Sequence, residues 1–349
     1  MQLPYEHGKK EIKVNPKEWT DIYFEQTLLH PPKPSLEKVK HGIFLCCKCK
    51  KRLKLENFSP LTMGRCAKCD APNFIPQKIS DYWLFIPLAS GSSSRVYEAL
   101  RESEPDCDLA VKLLPVDKRN NQDAIDTLMR EAQISYVVAQ HPNLTEILEY
   151  GHADGEHFVV LERIDGVRLD WVLDSAVKRP QEQVILWALQ ILSAVNHIYK
   201  CGYLFRALQP KNILIDLDGN IRLVDYGMAV KIEDTRSVNE EQLEGSILYM
   251  PPERILGKAE EQCSEIYTLG MLLYHLLARE PYFPYTDFED IANKHISPVR
   301  LESLALKLPH GTYPELIRII KRMIRCYPKE RYQTFKEVGN DLYKLFNSI

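Results

Sequence analysis

Apolar residues recur along this chain with two different periods, and these periods predict its secondary structure. Short apolar runs typical of strands cover residues 83–88, 95–100 and 109–112. Between about Gln122 and Gln140 the apolar positions return with helical spacing, which predicts one amphipathic helix. Helical repeats of apolar residues also run from about residue 264 to the C-terminal Ile349. The pattern therefore predicts a chain that combines strands with helices.

A tight hairpin is the most distinctive local prediction. Two apolar runs, residues 212–215 and 221–224, flank the turn sequence Asp-Leu-Asp-Gly-Asn at 216–220. Asn212 begins this hairpin, and Asp225 follows it directly. An amide oxygen and a carboxylate are hard oxygen ligands, which suit magnesium on a nucleotide. The hairpin is therefore a candidate magnesium site.

The N-terminal segment, residues 1–40, differs from the rest because it is polar and rich in proline. Trp19, Ile22 and Tyr23 would share one face of a helix that runs from about Pro16 to Leu29. We therefore expect a short docked helix in this polar leader. The alternative is a mobile leader without a helix.

Composition narrows the class of protein. A length of 349 residues suggests two domains, or one large domain with an extension, and 45% hydrophobic residues allow a sizeable core. The net charge of −3 indicates no particular partner. The longest apolar run, residues 269–278, is far shorter than the ~20 residues of a membrane helix. The N-terminus lacks the apolar core of a signal peptide, and the chain ends in an amphipathic segment. We expect no membrane span and no C-terminal anchor.

Two Cys-x-x-Cys pairs predict a metal site within residues 41–78. Cys46 and Cys49 form the first pair, and Cys66 and Cys69 form the second. Each pair can turn both sulfurs toward one point, and together they complete a tetrahedral zinc site that resembles a zinc ribbon. Cys47 is poorly spaced for chelation with Cys49, so Cys46 is the predicted ligand. Disulfides or a redox pair are the alternatives. Four thiolates leave no open position, so the zinc should be structural.

The other cysteines, Cys107, Cys201, Cys263 and Cys326, are scattered along the chain. Free thiols with this distribution are typical of a reducing compartment, so we expect a cytoplasmic protein.

The first cysteine pair lies in a basic run, which could contact nucleic acid. The positions concerned are Lys38, Lys40, Lys48, Lys50, Lys51, Arg52 and Lys54. Aromatic residues are not interleaved with these charges, which favours plain solvation of a small metal module.

Residues 205–227 carry a resemblance to a known family. Phe-Arg-Ala-Leu-Gln-Pro-Lys-Asn at 205–212, followed by Asp-Tyr-Gly at 225–227, resembles the catalytic loop H-R-D-L-K-P-x-N and the D-F-G metal loop. The chain is therefore identified as a member of the eukaryotic-type (Hanks-type) Ser/Thr protein kinase family. The resemblance implies an α+β bilobal fold, with a small β-rich N-lobe at about 79–162 and a helical C-lobe at about 163–349. The zinc ribbon would precede it.

The resemblance also implies an ATP and magnesium site. The glycine-rich loop corresponds to residues 89–94, of which only Gly91 keeps a family glycine. Lys112 would contact the α- and β-phosphates and Glu131 would orient it, while Asn212 and Asp225 would hold magnesium. The remaining nucleotide contacts would come from Ala89, Val96, Ala110, Leu161, Glu162, Ile164 and Leu214.

Two positions depart from the family where phosphoryl transfer is concerned. Ala207 stands in place of the catalytic aspartate, and Gln209 stands in place of the catalytic-loop lysine. The resulting hypothesis is a pseudokinase, an ATP- and magnesium-binding switch or scaffold with a protein partner. One alternative is a weak or atypical Ser/Thr kinase with a protein substrate. The other is a nucleic-acid-binding adaptor that uses the ribbon.

Three further residues resemble structural positions of the C-lobe. Glu253 and Arg331 match the glutamate and arginine that form an ion pair in the family. Arg206 matches the arginine that often receives a phosphate from the activation segment, the stretch from Asp225 to Glu253.

Overall fold

The computed structural model describes residues 35–90, 94–138, 140–175, 178–235, 247–298 and 307–349. These residues form two compact units. Of the described residues, the N-unit contains those from 35 to 138 and from 145 to 165, and the C-unit contains 140–144 and those from 166 onward. The helix predicted at 16–29 and Gly91 both lie outside the described residues.

The N-unit begins with the cysteine-rich segment, which is built from two short antiparallel strand pairs. Helix α1 (Leu36–Lys40) precedes them, β1 pairs with β2, and β3 pairs with β4. The strands are β1 (Ile43–Leu45), β2 (Arg52–Lys54), β3 (Met63–Arg65) and β4 (Pro72–Phe74), with a short 3-10 helix at Leu55–Asn57.

A six-stranded antiparallel sheet follows without a break in the chain, in the order β5-β6-β7-β8-β10-β9. Its strands are β5 (Gln77–Ile79), β6 (Tyr82–Ser90), β7 (Arg95–Arg101), β8 (Asp108–Leu113), β9 (Ile147–Ala153) and β10 (Glu156–Glu162). Helix α2 (Gln122–Val138) follows β8 and a 3-10 turn at Val116–Lys118. The predicted strands and the helix are present, with ends shifted by one or two residues because helix and strand ends fray.

Strand β6 separates two apolar cores within the N-unit. Successive side chains of a strand point to opposite faces. Leu84 accordingly packs into a core formed by side chains from several strands of the sheet. Trp83 and Phe85 pack instead with Phe44 and Cys46 of the cysteine-rich segment. The sheet and the cysteine-rich segment therefore share one hydrophobic core.

The C-unit is mainly helical. Helix α4 is buried along most of its length, and α6 is buried along almost all of it. Its helices are α3 (Leu169–Asp174), α4 (Gln181–Lys200), α5 (Pro252–Ile255), α6 (Gln262–Ala278), α7 (Phe288–Ile296), α8 (Pro314–Met323) and α9 (Phe335–Ser348). Its strands are β11 (Gly166–Arg168), β12 (Tyr203–Leu204), β13 (Ile213–Asp216), β14 (Ile221–Leu223) and β15 (Val230–Lys231). Short 3-10 helices cover Pro210–Asn212, Ile232–Asp234, Ile247–Tyr249 and Pro328–Glu330. Within the described part of the chain, no helix is both long enough and apolar enough to span a bilayer.

A buried ion pair ties the C-terminal part of the C-unit to α5. The two terminal guanidinium nitrogens of Arg331 donate to the Glu253 carboxylate, at 2.8 and 2.9 Å. Arg331 also donates to the carbonyl oxygens of Cys263 and Cys326. Such a bidentate pair satisfies both charges, which makes burial tolerable.

Three histidines of the C-unit are held neutral by burial. Burial lowers the pKa of His141 and of His275 to about 4 each, and that of His295 to about 3. His275 is hydrogen-bonded to the Tyr249 hydroxyl at 2.6 Å, and His295 to the Tyr267 hydroxyl at 2.7 Å. These hydrogen bonds suit neutral imidazole rings.

We expect acid to destabilise the C-unit. The unfolded chain takes up these protons near pH 6.5, whereas the folded chain does not, so stability falls as the pH drops below 6.5. Between pH 7 and pH 5, each histidine should contribute about 2 kcal/mol to this loss of stability. Burial raises the pKa of Glu265 to about 7, which acts with the opposite sign and offsets roughly one histidine. Urea unfolding at pH 7 and pH 5 measures the difference.

The substitution His275→Asn should remove its own share of this loss, while His310→Asn at an exposed position should leave the loss unchanged. Equal stability of the parent protein at the two pH values would contradict the prediction.

Candidate functional site

Lys112 and Glu131 form a buried ion pair in the N-unit. Lys112 lies on β8 and Glu131 on α2, and the Lys112 Nζ lies 2.6 and 2.7 Å from the two carboxylate oxygens. The side chains are only 7% and 8% exposed. The apolar run before Lys112 places it on a central strand of the sheet, and the helix positions its partner. The ammonium group is thus fixed in direction.

Four of the residues predicted to contact the nucleotide share the sheet face of Lys112. Val96 lies opposite Lys112 in the strand register, and Leu161 lies opposite Ala110. Ala89 lies opposite Val96 at the end of the β6–β7 hairpin. Directly paired residues of antiparallel strands project from the same face. The structure therefore places four of the predicted site residues on the same sheet face as Lys112.

Glu162 and Ile164 follow on the segment that leaves the sheet. The Glu162 N–H donates to the Glu146 carbonyl oxygen at 3.1 Å, and the Glu162 carboxylate accepts from the Glu146 N–H at 2.8 Å. The N–H and the carboxylate of Glu162 are therefore both engaged by Glu146. Ile164 is half-buried two residues later.

The C-unit contains the loop that resembles the catalytic loop. Phe205 packs edge-on against Tyr226, with ring centroids 5.8 Å apart, so apolar packing holds the Asp-Tyr-Gly segment here. Ala207 is 1% exposed and Gln209 is 4% exposed. The Asn212 amide nitrogen donates to the Ala207 carbonyl oxygen at 3.1 Å. The loop backbone is therefore held by these contacts, and the side chain at position 207 is only a methyl group.

Asn212 and Asp225 lie at the same end of the β13–β14 hairpin. The Val224 N–H donates to the Asn212 carbonyl oxygen at 3.0 Å, and Asp225 is the next residue. Asp225 is exposed and adopts φ +70°, a left-handed conformation that turns the chain out of the hairpin. The Asn212 amide nitrogen is used by the loop, which leaves the amide oxygen for a cation. Leu214 lies on β13, half-buried.

The cysteine cluster fits a zinc ion. The four sulfurs of Cys46, Cys49, Cys66 and Cys69 lie within 4.8 Å of one another. The Cys46–Cys69 sulfur distance is 3.6 Å, and the Cys49–Cys66 distance is 3.7 Å. Zinc–sulfur bonds of about 2.3 Å in a tetrahedron place sulfurs about 3.8 Å apart. The donor set and its spacing therefore match a structural zinc site.

Two equivalent turns present these sulfurs. Lys50 and Asp70 have φ values of +58° and +55°, and their N–H groups donate to the carbonyl oxygens of Cys46 and Cys66. The Asn73 amide nitrogen lies 3.7 Å from the Cys46 sulfur, a contact that orients the ligand. Burial opposes ionisation of Cys46, but backbone hydrogen bonds from Cys49 and Lys48 outweigh it and lower its pKa to about 6. The thiolate form that metal binding needs is thus favoured at this position.

Sequence reasoning missed Arg254 and Glu260. Both are buried beside Arg206, at 4% and 1% exposure. In the sequence, Glu260 stands in the charged stretch Lys-Ala-Glu-Glu at 258–261, which is typical of a solvated loop. No spacing signal marks it, because its partner Arg206 is distant in the chain.

Known proteins resemble this chain across the same region. The protein kinase domain family matches residues 85–343. The serine/threonine-protein kinase PrkC of Bacillus subtilis (strain 168) is 29% identical over 269 residues, which cover 76% of this chain and 41% of PrkC. The serine/threonine-protein kinase PknB of Mycobacterium leprae (strain TN) is 28% identical over 277 residues, which cover 77% of this chain and 44% of PknB. The match therefore spans about two fifths of each relative.

The family match covers most of the chain and includes the sheet, the Lys112–Glu131 pair and the hairpin with Asn212 and Asp225. The four-cysteine segment precedes the matched region. The chain belongs to the protein kinase domain family.

Proposed function

We propose that this protein is a pseudokinase, which binds ATP with magnesium and acts as a signalling switch or scaffold. The observation that carries the proposal is the buried alanine at position 207 in an otherwise ordered catalytic loop. Phosphoryl transfer needs held phosphates, magnesium and an oriented acceptor hydroxyl. Ala207 has no group that can orient or deprotonate the hydroxyl. Loss of such a group typically costs about 10²–10⁴-fold in rate.

The residues for holding a nucleotide support the binding half of the proposal. Lys112, fixed by Glu131, would contact the α- and β-phosphates, and Val96, Ala110 and Leu161 would flank adenine on the same sheet face. On the C-unit, Asn212 and Asp225 would ligate magnesium, which would neutralise phosphate charge, and Leu214 would contact the base.

An atypical Ser/Thr protein kinase is the second candidate. The relatives PrkC and PknB are named as serine/threonine-protein kinases, and the Lys112–Glu131 pair is intact. Because catalysis in this family depends mainly on positioning and charge, a chain without the aspartate could retain slow transfer. An atypical kinase would act on a protein substrate. A pseudokinase would instead bind a protein partner without phosphorylating it.

The experiment measures γ-phosphate transfer and thermal stability on one preparation of the full chain with Mg-ATP. We expect no transfer above background from labelled ATP to a generic protein acceptor. We also expect stabilisation by Mg-ATP of about 2.7 kcal/mol at a hundredfold excess over the dissociation constant. Asp225→Ala should abolish the stabilisation, and the exposed-residue control Asp218→Ala should retain it.

Lys112 is tested as the double substitution Lys112→Met with Glu131→Gln, because Lys112→Met alone would leave a buried carboxylate without its cation. The double variant should also lose the Mg-ATP stabilisation. Transfer that disappears in both site variants would establish the second candidate in place of the first. Absence of both transfer and stabilisation would reject both candidates.

A further inference from the structure

Arg206 of the catalytic loop is the centre of a buried cluster of charges. Its guanidinium lies 2.6 Å from a carboxylate oxygen of Glu260, and the two side chains are 3% and 0% exposed. The second oxygen of Glu260 lies 2.7 Å from the guanidinium of Arg254, which is 5% exposed. One fully buried carboxylate therefore serves two arginines.

The backbone of Arg206 is held by the same cluster. Its N–H donates to Glu265 Oε1 at 2.7 Å, and its carbonyl oxygen accepts from Arg254 Nη1 at 3.0 Å. Arg206 has φ +60°, a costly conformation for a residue with a Cβ. Such a conformation persists only when surrounding contacts determine it. The cluster therefore fixes the turn that leads into Ala207.

The first part of the activation segment is tied to this cluster as well. The Arg206 guanidinium donates to the Thr235 carbonyl oxygen, and the Glu260 N–H donates to the Thr235 hydroxyl oxygen at 3.2 Å. Thr235 is 2% exposed. Catalytic loop, α5 and activation segment thus meet at Glu260.

An added phosphate orders a segment when it meets exposed arginines that lack an anionic partner. Here the anion is already present as part of the chain, and it is desolvated together with both arginines. Both guanidinium groups already pair with the Glu260 carboxylate, so neither arginine lacks an anionic partner. A phosphate would have to displace Glu260 and leave a buried carboxylate unpaired, which is strongly unfavourable.

We propose that Glu260 is an internal counter-ion that pairs with Arg206 in place of an activation-segment phosphate. It holds Arg206, the catalytic loop and Thr235 in place in the unphosphorylated chain. Glu260 is a positioning residue, since it acts through Arg206. The order of this loop is therefore constitutive and does not depend on phosphorylation.

Hydrogen exchange of the peptide that contains Arg206 tests this proposal on the full chain, independently of nucleotide binding. Phosphatase treatment, checked by intact mass, should leave the exchange rate of this peptide unchanged within about twofold. Glu260→Gln keeps the shape but leaves two buried arginines facing each other, and should raise the rate by at least ~10-fold. Glu233→Gln, an exposed control in the same segment, should have no effect.

A double-variant cycle separates charge from shape. Glu260→Gln combined with Arg254→Gln removes the repulsion between the arginines, so this double variant should exchange more slowly than Glu260→Gln alone. If Glu260 and Arg254 had independent structural roles, the changes in exchange free energy caused by the two substitutions would add. Additive effects of the two substitutions on hydrogen exchange would overturn the proposal. An exchange rate in Glu260→Gln equal to that of the parent protein would also overturn it.

The phosphatase comparison uses the parent chain, so it tests whether loop order depends on phosphorylation even if Glu260→Gln fails to fold. A rise of ~10-fold or more after phosphatase treatment would overturn the proposal. If Mg-ATP stabilises none of these samples, the proposed nucleotide function fails while the exchange pattern still tests Glu260.

Discussion

Removal of the zinc that we propose for the four-cysteine cluster is expected to unfold the cysteine-rich segment and to loosen the sheet that packs against it. Structural zinc sites contribute apparent free energies of about 10 kcal/mol or more, and a segment this small has no other means of forming a stable core. The consequence should extend beyond the segment, since Trp83 and Phe85 of β6 pack against Phe44 and Cys46. Trp83 is 7% exposed and Phe85 is 2% exposed.

A polar cluster reinforces the apolar contact. The Glu102 carboxylate lies 3.3 Å from Lys40 Nζ at the end of α1 and 2.5 Å from Lys78 Nζ on β5. It also accepts from the Trp83 indole N–H at 3.2 Å. The hydrogen bond from Lys78, with burial opposing it, lowers the pKa of Glu102 to about 2. The segment and the sheet should therefore lose order together.

Exposure of two buried aromatic side chains costs about 1.5–3 kcal/mol each, which corresponds to a rise of roughly 10²- to 10⁴-fold in hydrogen exchange across residues 83–86. Zinc content, measured with a colorimetric chelator, should fall from one ion per chain toward zero in Cys46→Ser and Cys66→Ser. Cys47→Ser is the matched control in the same turn, because Cys47 is outside the four-sulfur cluster. Unchanged exchange at 83–86 after complete zinc removal would show that the segment is an independent appendage.

Restoring the catalytic pair by Ala207→Asp and Gln209→Lys is expected to raise phosphoryl transfer by about 10²–10⁴-fold. The backbone around position 207 is already ordered, since Asn212 bonds the Ala207 carbonyl oxygen and Phe205 packs on Tyr226. A carboxylate at this buried position needs a partner, because an unpaired buried charge is costly. The lysine at 209 is included for that reason.

The rate is measured as γ-phosphate transfer to a generic acceptor under single-turnover conditions. Ala207→Asn with Gln209→Lys is the control, since asparagine matches aspartate in shape but cannot accept the proton. A rise in both variants would indicate a packing effect, and a parent rate equal to that of the aspartate variant would show that another group already supplies the base.

The predicted family and the predicted bilobal α+β kinase fold are confirmed, and the reason is that their signals are local. The Lys112 strand, the hairpin at 212–225 and the glutamate helix are each encoded by short-range patterns of apolar residues. The cysteine spacing was equally informative, because two Cys-x-x-Cys turns bring their sulfurs together through local geometry. The predicted roles of the nucleotide-binding residues stay predictions that the experiments above address.

The sequence by itself determined the family, the order of the elements, the four-cysteine cluster and the loss of the carboxylate at 207. Each depends on residue identity at a fixed spacing. Only the tertiary structure decided that β6 shares its core with the cysteine-rich segment, and that Glu260 joins Arg206 to Arg254. These contacts join residues far apart in the chain, and charged residues such as Glu260 look like surface residues until the fold buries them.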